Sequence, residues 1–438
     1  MGAGSRAHGL TPVPVVRSGF ESRSADWLGV DEALARILAD VEALPAERRP
    51  LLECLGRALA EEIVADATLP PWDNSAMDGF AVRGVDIEGA SPERPVRLEI
   101  VGRVRAGERP EVGVAEGQAM RIMTGAPLPP GADSVVRVED TDAEGEPGAV
   151  VVRDDRDVGE NVRPAGQDMR AGERLLGKGH GVTPGTVGVL AASGRADALV
   201  HRRPTVAVLA TGDELRDPPR FDEVRAGRGV PDSNAPMLSA MVAAAGAEPL
   251  ALGIARDHPA ELRERLEGAS AADVLVTIGG ASMGEADLVK RVLDEMRYQA
   301  GFWRVRMRPG SPVGFGWLPR GERRQPVLSL PGNPTSAFVT FEVLVRPLLL
   351  RLAGHERATR RAIVATAAEP IRAPARLTYF LRVALDDSGG RLRARLTGPQ
   401  GSGLVSGLAR ADGLAVVPED VPGVAAGDPV TVLLLDNL

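Results

Sequence analysis

The length, composition and charge of this chain are those of a soluble protein of several domains. Its 438 residues suggest about three domains, and 44% hydrophobic with 26% charged residues is an ordinary balance for a globular fold. A formal net charge of -8 and an aromatic content of 3% provide neither the basic surface nor the stacking platforms of nucleic-acid-binding proteins. No apolar run reaches the length needed to span a membrane.

The few metal-binding side chains narrow the chemistry further. Cys54 is the only cysteine, which excludes a disulfide framework within the chain and a cluster of thiolate ligands. The five histidines are scattered without a His-x-x-x-His pair, which argues against zinc. Carboxylates are plentiful, so a hard cation with oxygen ligands remains open.

The beginning of the chain differs from the rest. Residues 1–26 are rich in Gly, Ser, Arg and Pro and lack the apolar stretch of a secretory signal. We interpret them as a flexible N-terminal tail on a cytoplasmic protein.

An elongated N-terminal α/β linker domain is predicted over residues 27–67 plus 155–200. Helical spacing predicts helices over Val30–Leu44 and Leu51–Ala65. A later helix is predicted to begin with Thr183 as its cap, because a proline follows in the first turn.

Between these two parts, residues 68–154 are predicted to form a β-rich insertion domain, because short strand patterns alternate with Gly and Pro turns. The predicted strands are Val96–Val104, Gln118–Met123, Ser134–Glu139 and Ala149–Arg153.

From residue 201 to 353, apolar strands alternate with helices at regular spacing. The predicted strands are Val206–Ala210, Pro249–Ile254, Asp273–Ile278 and Val327–Leu330, and the predicted helices are 232–246, Pro259–Gly268, Glu285–Arg297 and Thr335–Leu352. This alternation predicts a central doubly wound parallel sheet with helices on both faces. Strand patterns return over 354–438, which predicts a small C-terminal β domain.

Three acids follow three different strands of the predicted sheet. They are Glu214, Asp257 and Asp287, and ligands bind at the carboxyl ends of strands in such a sheet. Carboxylates gathered beside a loop that could bind an anion predict a magnesium ion, which would bridge the mutually repelling negative charges of the acids and the anion. Each acid taken alone would equally suit a helix cap or a solvated loop.

A glycine-rich loop with the pattern Gly-Gly-x-Ser-x-Gly follows the third of these strands. Its Gly279, Gly280, Ser282 and Gly284 would let backbone N–H groups approach a phosphate next to a helix N-terminus. The alternative is a tight turn without a ligand.

An arginine-rich segment is predicted to form a half-buried strand. Arg304, Arg306 and Arg308 alternate with apolar residues, so their side chains are expected on one face. Arginine suits bidentate contact with phosphate or another oxoanion. A solvated strand face is the alternative.

Two segments of the β-rich insertion are unusually dense in small polar residues. Residues 70–81 contain Asp-Asn-Ser-Ala-Met-Asp-Gly, and residues 121–127 contain Met-Thr-Gly-Ala. Turn chemistry accounts for this composition. Two acids around an amide and a hydroxyl would also suit a ligand or a metal.

Taken together, these segments resemble the molybdopterin molybdenumtransferases, the bacterial MoeA proteins that also match the C-terminal domain of gephyrin. The likeness runs from about Trp27 to the C-terminus, and the motifs occur in the family's order. The matching motifs are Pro71-x-Asp73-Asn74-Ser75-Ala76-Met77-Asp78-Gly79-Phe80-Ala81, Ile122-Met123-Thr124-Gly125-Ala126, Gly166-Gln167-Asp168, Thr211-Gly212-Asp213-Glu214-Leu215, Asp232-Ser233-Asn234, Gly279-Gly280-x-Ser282-x-Gly284-Glu285-Ala286-Asp287 and Leu330-Pro331-Gly332-Asn333-Pro334-x-Ser336.

The resemblance implies an elongated homodimer in which the doubly wound domain binds the pterin substrate. The partner's β-rich insertion would complete the cleft, and the expected catalytic residues are Asp78, Thr124, Glu214, Asp257 and Asp287. The implied reaction takes adenylyl-molybdopterin and molybdate, breaks the phosphoanhydride, releases AMP and leaves molybdenum on the dithiolene, with magnesium assisting. Because the sulfur ligands belong to the substrate, such an enzyme needs no cysteines of its own.

The motif matches also imply roles for individual residues. The three strand-end acids would surround magnesium and molybdate. Arg304 and Arg308 stand where family members often have basic residues, and Pro331 and Pro334 shape the neighbouring loop, so all four are expected to contact the substrate. Asp168 lies in a matching motif, where it either acts on the substrate or caps a turn.

Two departures from the family pattern concern the same neighbourhood. Ser311 stands where many relatives carry lysine, and Met283 replaces a small branched residue in the glycine loop. Two alternative functions follow from related proteins. A molybdopterin adenylyltransferase would use the same type of sheet but would leave the insertion segments unexplained, whereas a non-catalytic paralogue or scaffold would bind molybdopterin without turnover.

Overall fold

The computed structural model describes residues 27–279, 288–387 and 390–435. Its first helix, α1 (Val30–Leu38), buries Ala33 and Ile37 in the core of the central domain. The helix is shorter than predicted, and the N–H of Leu44 instead bonds Leu352 O at 2.7 Å. The strands that follow are β1 (Ala46–Pro50) and β2 (Ile63–Val64).

The helix predicted over Leu51–Ala65 is wrong. Only Leu51–Cys54 winds into one 3-10 turn, and Gly56 with φ +76° then redirects the chain. Beyond the turn, backbone donors bond to distant segments, as Leu59 N–H does to His180 O at 3.0 Å. These long-range bonds satisfy the groups that a helix would pair locally, so the local spacing does not decide the structure.

The insertion forms a five-stranded sheet with its own core. Its strands and two short flanking strands are β3 (Asn74–Ser75), β4 (Gly79–Val82), β5 (Val96–Val104), β6 (Gln118–Ile122), β7 (Ser134–Arg137), β8 (Ala149–Val152) and β9 (Val162–Arg163). The order of the sheet is β7-β4-β6-β5-β8, and only β5 and β6 pair in parallel. The four strands expected here are therefore present.

After the insertion the chain returns to the N-terminal region. The returning elements are β10 (Arg174–Leu176), α2 (Pro184–Ala192) and β11 (Asp197–His201). Strand β11 pairs antiparallel with β1, and β10 pairs with β2. Thr183 caps α2, because its side chain accepts a hydrogen bond from Thr186 N–H, as the sequence predicts.

The central domain alternates strands and helices. Its elements are β12 (Thr205–Thr211), β13 (Leu215–Arg216), α3 (Phe221–Arg225), β14 (Val230–Pro231), α4 (Asn234–Ala244), β15 (Glu248–Ala255), α5 (Pro259–Gly268), β16 (Val274–Ile278), α6 (Leu288–Glu295), β17 (Gln299–Phe302), β18 (Met307–Arg308), β19 (Gly314–Arg320), β20 (Arg323–Leu330), α7 (Pro334–Thr340), a π turn (Phe341–Val345) and α8 (Arg346–Leu352). The main sheet has the order β15-β12-β16-β20-β19-β17.

Helices cover both faces of this sheet, as predicted. Strands β15, β12, β16 and β20 run parallel, and β19 and β17 extend the edge antiparallel. Along β12, Val206 and Val208 enter one core while Ala207 and Leu209 enter the other. Such alternation between two buried faces is the property of a doubly wound sheet.

The closing helix contains an irregular turn that the sequence pattern does not predict. Its backbone widens into a π turn over Phe341–Val345, which ends two residues before Pro347. Proline lacks the N–H that would bond the preceding turn and its ring crowds that turn. The local widening accommodates the proline and lets the helix continue to Leu352.

The C-terminal domain is small and, in the described part of the chain, consists of strands, turns and one 3-10 helix, Val405–Arg410. Its strands are β21 (Ala362–Ala367), β22 (Ile371–Arg372), β23 (Thr378–Asp386), β24 (Arg393–Leu396), β25 (Gly413–Val417), β26 (Gly423–Val424) and β27 (Pro429–Leu434). Strand β18 pairs with β23, which attaches this domain to the central one. None of the helices among the described residues combines the length and the apolarity that crossing a membrane requires.

Candidate functional site

The carboxyl ends of four neighbouring parallel strands form one edge of the central sheet. In spatial order these strands are β15, β12, β16 and β20. Asp257 follows β15, Glu214 follows β12, Gly279 follows β16 and Pro331 follows β20. The topology therefore gathers four of the predicted site residues at one edge, the position where doubly wound sheets bind ligands.

Gly212 creates the room that the Glu214 side chain occupies. A β-carbon at residue 212 would lie 2.7 Å from Glu214 Oε2, and the backbone there has φ +144°. The Gly212 N–H donates to Ala255 O at 3.1 Å, which ties the end of β12 to the end of β15. Only glycine accepts both this conformation and the approach of the carboxylate.

The carboxylates of Glu214 and Asp257 are free to take a ligand. Both residues are exposed, and neither carboxylate has a hydrogen-bond or ion-pair partner among the residues the structure describes. The backbone N–H of Asp257 donates to Asp213 Oδ1 at 3.2 Å, so Asp213 instead holds the two loops together. Over 27–279, 288–387 and 390–435, no three His, Cys, Asp or Glu side chains form a metal-binding group.

The glycine loop is described only at its first residue. Gly279 has φ +89°, and a β-carbon there would lie 2.9 Å from Thr211 Oγ1, so glycine is required at this position. Its N–H donates to Leu330 O at 3.0 Å. The remaining site residues predicted in this loop lie outside the described residues: Gly280, Ser282, Gly284 and Asp287.

The loop between β20 and α7 is fixed from the α4 side. Asn234 Nδ2 donates to Gly332 O at 2.7 Å, and Asn234 is buried. Its Oδ1 atom is buried without a partner in the described chain. Pro331 is buried and Pro334 occupies the first turn of α7. The prolines therefore shape a rigid loop, while the predicted contact with substrate stays a prediction.

The same loop is fixed from the C-terminal domain by a residue that the sequence analysis misses. Arg382 is fully buried on β23, and its guanidinium donates to Thr335 Oγ1 at 2.5 Å, to Leu404 O at 3.0 Å and to Pro399 O at 2.8 Å. Burial lowers the pKa of Arg382. A strand residue with a charge in an apolar run, Tyr-Phe-Leu-Arg-Val, is the signal that would have found it.

The arginine segment is not the strand that was predicted. Only Met307 and Arg308 pair as a strand, with β23. The expected alternation holds, because Val305 and Met307 are buried, but the arginines meet different surroundings. Arg306 pairs with Glu419 at 2.8 Å, and the Arg304 guanidinium lies 4.9 Å from the centre of the Trp27 ring. Arg308 is exposed. The side chains of Arg304 and Arg306 are therefore already engaged in contacts with residues that are distant in sequence.

The side chain of Ser311 is hydrogen-bonded to the backbone of its own turn. Its hydroxyl donates to Met307 O at 2.5 Å, and its own carbonyl accepts from Val305 N–H at 3.1 Å and Val313 N–H at 3.0 Å. The position therefore closes a tight turn after Arg308 and contributes no positive charge.

Asp78 and Thr124 meet in the insertion. The Asp78 carboxylate accepts from the Thr124 backbone N–H at 2.7 Å and from Thr124 Oγ1 at 2.8 Å. These bonds hold the pKa of Asp78 below its ordinary value, the backbone bond contributing most. Across the described residues, no hydrogen bond or ion pair links the insertion with the central sheet. Within one chain, the pair therefore forms a second polar centre separate from the strand-end acids.

Comparison with known proteins identifies the family. Family models match three stretches: the MoeA N-terminal region (domain I and II) over residues 28–194, a probable molybdopterin binding domain over 207–351 and the MoeA C-terminal region (domain IV) over 364–435. A molybdopterin molybdenumtransferase 2 of Mycobacterium tuberculosis is 38% identical over 391 residues, covering 87% of this chain and 93% of the relative. The chain belongs to the MoeA family.

Other MoeA relatives agree in sequence and in structure. A molybdopterin molybdenumtransferase of Synechococcus elongatus is 36% identical over 92% of this chain and 99% of its own length. A crystal structure of the molybdopterin biosynthesis MoeA protein of Pyrococcus horikoshii OT3 superposes with a TM-score of 0.79 at 27% identity, covering 93% of this chain and 100% of the other. The predicted fold class, α/β with a central doubly wound sheet and a small C-terminal β domain, is confirmed.

Proposed function

We propose that this MoeA-family chain is a molybdopterin molybdenumtransferase, which converts adenylyl-molybdopterin and molybdate into molybdenum cofactor and AMP. The proposal rests on one observation above all. The carboxylates of Glu214 and Asp257, which have no partner among the residues described, stand at adjacent strand ends beside the glycine turn at Gly279. The named activity of the Mycobacterium and Synechococcus relatives supplies the substrate.

The reaction balances without a redox step. As each dithiolene sulfur replaces an oxygen ligand of molybdate, the thiol proton leaves with that oxygen as hydroxide or water. One such oxygen equivalent adds to phosphorus as the phosphoanhydride bond breaks, and AMP departs with the bridging oxygen. The chain's contribution is to hold the two substrates in this geometry and to exclude competing hydrolysis.

The fixed loops at the sheet edge serve this positioning. Asn234 and Arg382 hold the segment from Gly332 to Thr335 on two sides. A loop held in this way keeps its conformation without a substrate, so little order has to be gained on binding. We assign the Pro331–Pro334 turn to one wall of the pterin cleft.

The donor set fits magnesium. Glu214 and Asp257 offer hard carboxylate oxygens without competing partners in the described part of the chain, and oxygen ligands are those that magnesium prefers. We assign Asp287 to the same cluster by its motif. When bound, the ion would neutralise phosphate charge in the substrate. The acids themselves would hold it and orient the anhydride.

We further propose that a second copy of the chain supplies Asp78 and Thr124 to the cleft, in a homodimer. The separate core of the insertion and the lack of described bonds to its own central sheet support this arrangement. An ionised carboxylate fits the amino and ring N–H donors of a pterin. Asp78 would thus bind the substrate end remote from the anhydride.

The experiment that tests the proposal measures AMP. Purified full-length chain would be mixed with adenylyl-molybdopterin, magnesium and molybdate, and AMP followed by chromatography. We expect molybdate-dependent AMP release above a control without enzyme. Binding of molybdopterin without any AMP release would instead favour a non-catalytic paralogue or scaffold. Replacing molybdate by tungstate in the same assay determines the preferred oxyanion.

A further inference from the structure

A cationic cavity lies away from the sheet edge, where the N-terminal region, the central domain and the C-terminal domain meet. Its volume is about 760 Å³. Four arginines line it, and no Asp or Glu is among the described lining residues: the arginines are Arg203, Arg346, Arg360 and Arg361. Clustered arginines with no acid among the described lining residues require an explanation, because like charges repel in a confined space.

One of the four arginines is neutralised and the other three are not. Arg360 pairs with Glu342 at 2.8 Å and 3.1 Å, and both side chains are buried. Arg203 makes one long bond, 3.4 Å, to the carbonyl of Leu55. Neither Arg346 nor Arg361 has a carboxylate partner in the described part of the chain. Three of the four arginines that line the cavity therefore have no ion-pair partner in the described part of the chain.

Arg346 adjoins Arg360 at the cavity. Its Nε atom is buried and has no hydrogen-bond partner among the described residues. Burial and the neighbouring Arg360 lower the pKa of Arg346, and the Glu342 carboxylate partly offsets them. Because that Nε atom has almost no accessible surface, an anion in the cavity would reach Arg346 through its other guanidinium nitrogens, and it would offset the repulsion between Arg346 and Arg360.

Helix ends contribute partial charges of both signs. Thr183, the cap of α2, lines the cavity, so the positive end of a nine-residue helix points toward it. Ala243–Gly246, at the C-terminal end of α4, also line it and contribute roughly half a negative charge. Since the two helix ends largely offset each other, the three arginines determine the sign of the potential.

We propose that this cavity binds a tetrahedral oxoanion of the phosphate class, either free phosphate or the phosphate group of a small metabolite. Arginine provides the planar donor pair that such an anion accepts. Arg203, Arg346 and Arg361 come from the connection before the central sheet, from its closing helix and from the start of the C-terminal domain. A bound anion therefore links the connection before the central sheet, the closing helix and the C-terminal domain, and it stabilises their relative placement.

This inference is independent of the proposed transferase activity, because none of the described residues that line the cavity belongs to the proposed transferase site and its test requires no turnover. The full-length chain would be titrated with inorganic phosphate by calorimetry, and in parallel with ribose 5-phosphate. Binding of phosphate alone identifies the free ion as ligand, and tighter binding of the ester identifies a metabolite. Absence of binding by both would overturn the proposal.

Variants separate this site from any phosphate bound at the sheet edge. In the double variant Arg203→Ala/Arg361→Ala we expect phosphate affinity at the cavity to fall by at least about tenfold. Arg357→Ala is the control, because Arg357 is exposed nearby and does not line the cavity. Circular dichroism checks that each variant is folded.

Thermal unfolding gives a second readout. At equal ionic strength, phosphate should raise the unfolding midpoint above that in chloride by about 2–4 °C. Phosphate also stabilises proteins generally by exclusion from their surface, and that general increment persists in the double variant while the specific one is lost. An equal phosphate increment in wild type and double variant would contradict the proposal. So would a changed oligomeric state with unchanged phosphate affinity, because a second chain would then be the occupant.

Discussion

Arg382 donates a hydrogen bond to Thr335 Oγ1 across 2.5 Å and thereby joins the C-terminal domain to the loop at the carboxyl edge of the central sheet. The guanidinium also donates to the main-chain carbonyls of Leu404 and Pro399, while its Nε has no hydrogen-bond partner among the described residues. The C-terminal domain therefore acts on the candidate site by holding one of its walls. It contributes a positioning residue, because Arg382 is fully buried and has no access to substrate.

We predict that Arg382→Met destabilises the protein by about 2–4 kcal/mol, because buried carbonyls and the Thr335 hydroxyl lose their donor. Urea unfolding measures this change. Arg395→Met is the control, since Arg395 is exposed on the neighbouring strand β24, and it should alter stability by less than about 0.5 kcal/mol. Equal stability of the two variants would show that the Arg382 bonds are not needed.

We predict that Glu214→Gln and Asp257→Asn each lower the rate of AMP release by roughly 100-fold. Both carboxylates are exposed and unpartnered among the described residues, so their removal should shift the unfolding midpoint by less than about 2 °C. Asp222→Asn is the control, because Asp222 is 92% exposed in α3. Full activity in either site variant would make that acid structural. The same substitution at Asp287, Asp287→Asn, is expected to lower the rate likewise.

The sequence predicts the residues at the carboxyl edge of the sheet well. The strands are visible in local periodicity, and the alternation of strands and helices implies their parallel order. Helix α5 over Pro259–Gly268 and strand β5 over Val96–Val104 have the predicted bounds. The convergence of Glu214 and Asp257 follows from parallel pairing of adjacent strands, which the alternation of strands and helices implies.

Other features depend on partners that are distant along the chain. The segment after Leu51 is not helical because its backbone bonds reach Val182 and Leu199. Arg306 is taken by Glu419, which lies 113 residues away. The periodicity of a short sequence window contains no information about such a distant ion pair. The contacts of the arginine segment therefore could not be predicted from its residue pattern.

A prediction about Gly212 separates backbone strain from loss of the site. Gly212→Ala should cost about 1–3 kcal/mol of stability through its positive φ and should also displace the Glu214 carboxylate, lowering the rate of AMP release. Gly227→Ala shares a positive φ, +73°, but meets no atom within 4 Å. We expect that control to lose stability and keep its rate. If AMP release slows in both variants, backbone strain and not displacement of the Glu214 carboxylate is the cause.

The Asp78–Thr124 contact predicts a titration. Because the folded pKa of Asp78 is lowered, the stabilisation from its two hydrogen bonds is complete above the unfolded value near 3.8 and is lost as the pH falls through the folded pKa. Thr124→Val removes the hydroxyl bond and should move the pKa of Asp78 back toward 3.8. Thr124→Ser keeps the hydroxyl and is the control. Carbon-13 NMR of the carboxyl group measures the pKa, and no difference between the variants would refute the account of its cause.

A site shared between two copies predicts complementation. Asp78→Asn and Glu214→Gln chains should each be inactive alone, whereas a mixture that exchanges subunits should regain about a quarter of wild-type activity, since half the dimers then carry one intact site. The measurement is AMP release after co-expression and purification of both chains. No recovery in mixed dimers, verified by mass spectrometry, would place both residues in one chain's site or remove one of them from it.

The central claim is that anhydride cleavage and molybdenum insertion are coupled in one protein. The most direct test measures AMP released and molybdenum bound to the pterin in the same single-turnover sample, with and without molybdate. We predict one molybdenum inserted for each AMP, with both steps slowed about 100-fold in Glu214→Gln. Anhydride cleavage that proceeds equally without molybdate and leaves the dithiolene empty, or no cleavage at all, would contradict the account.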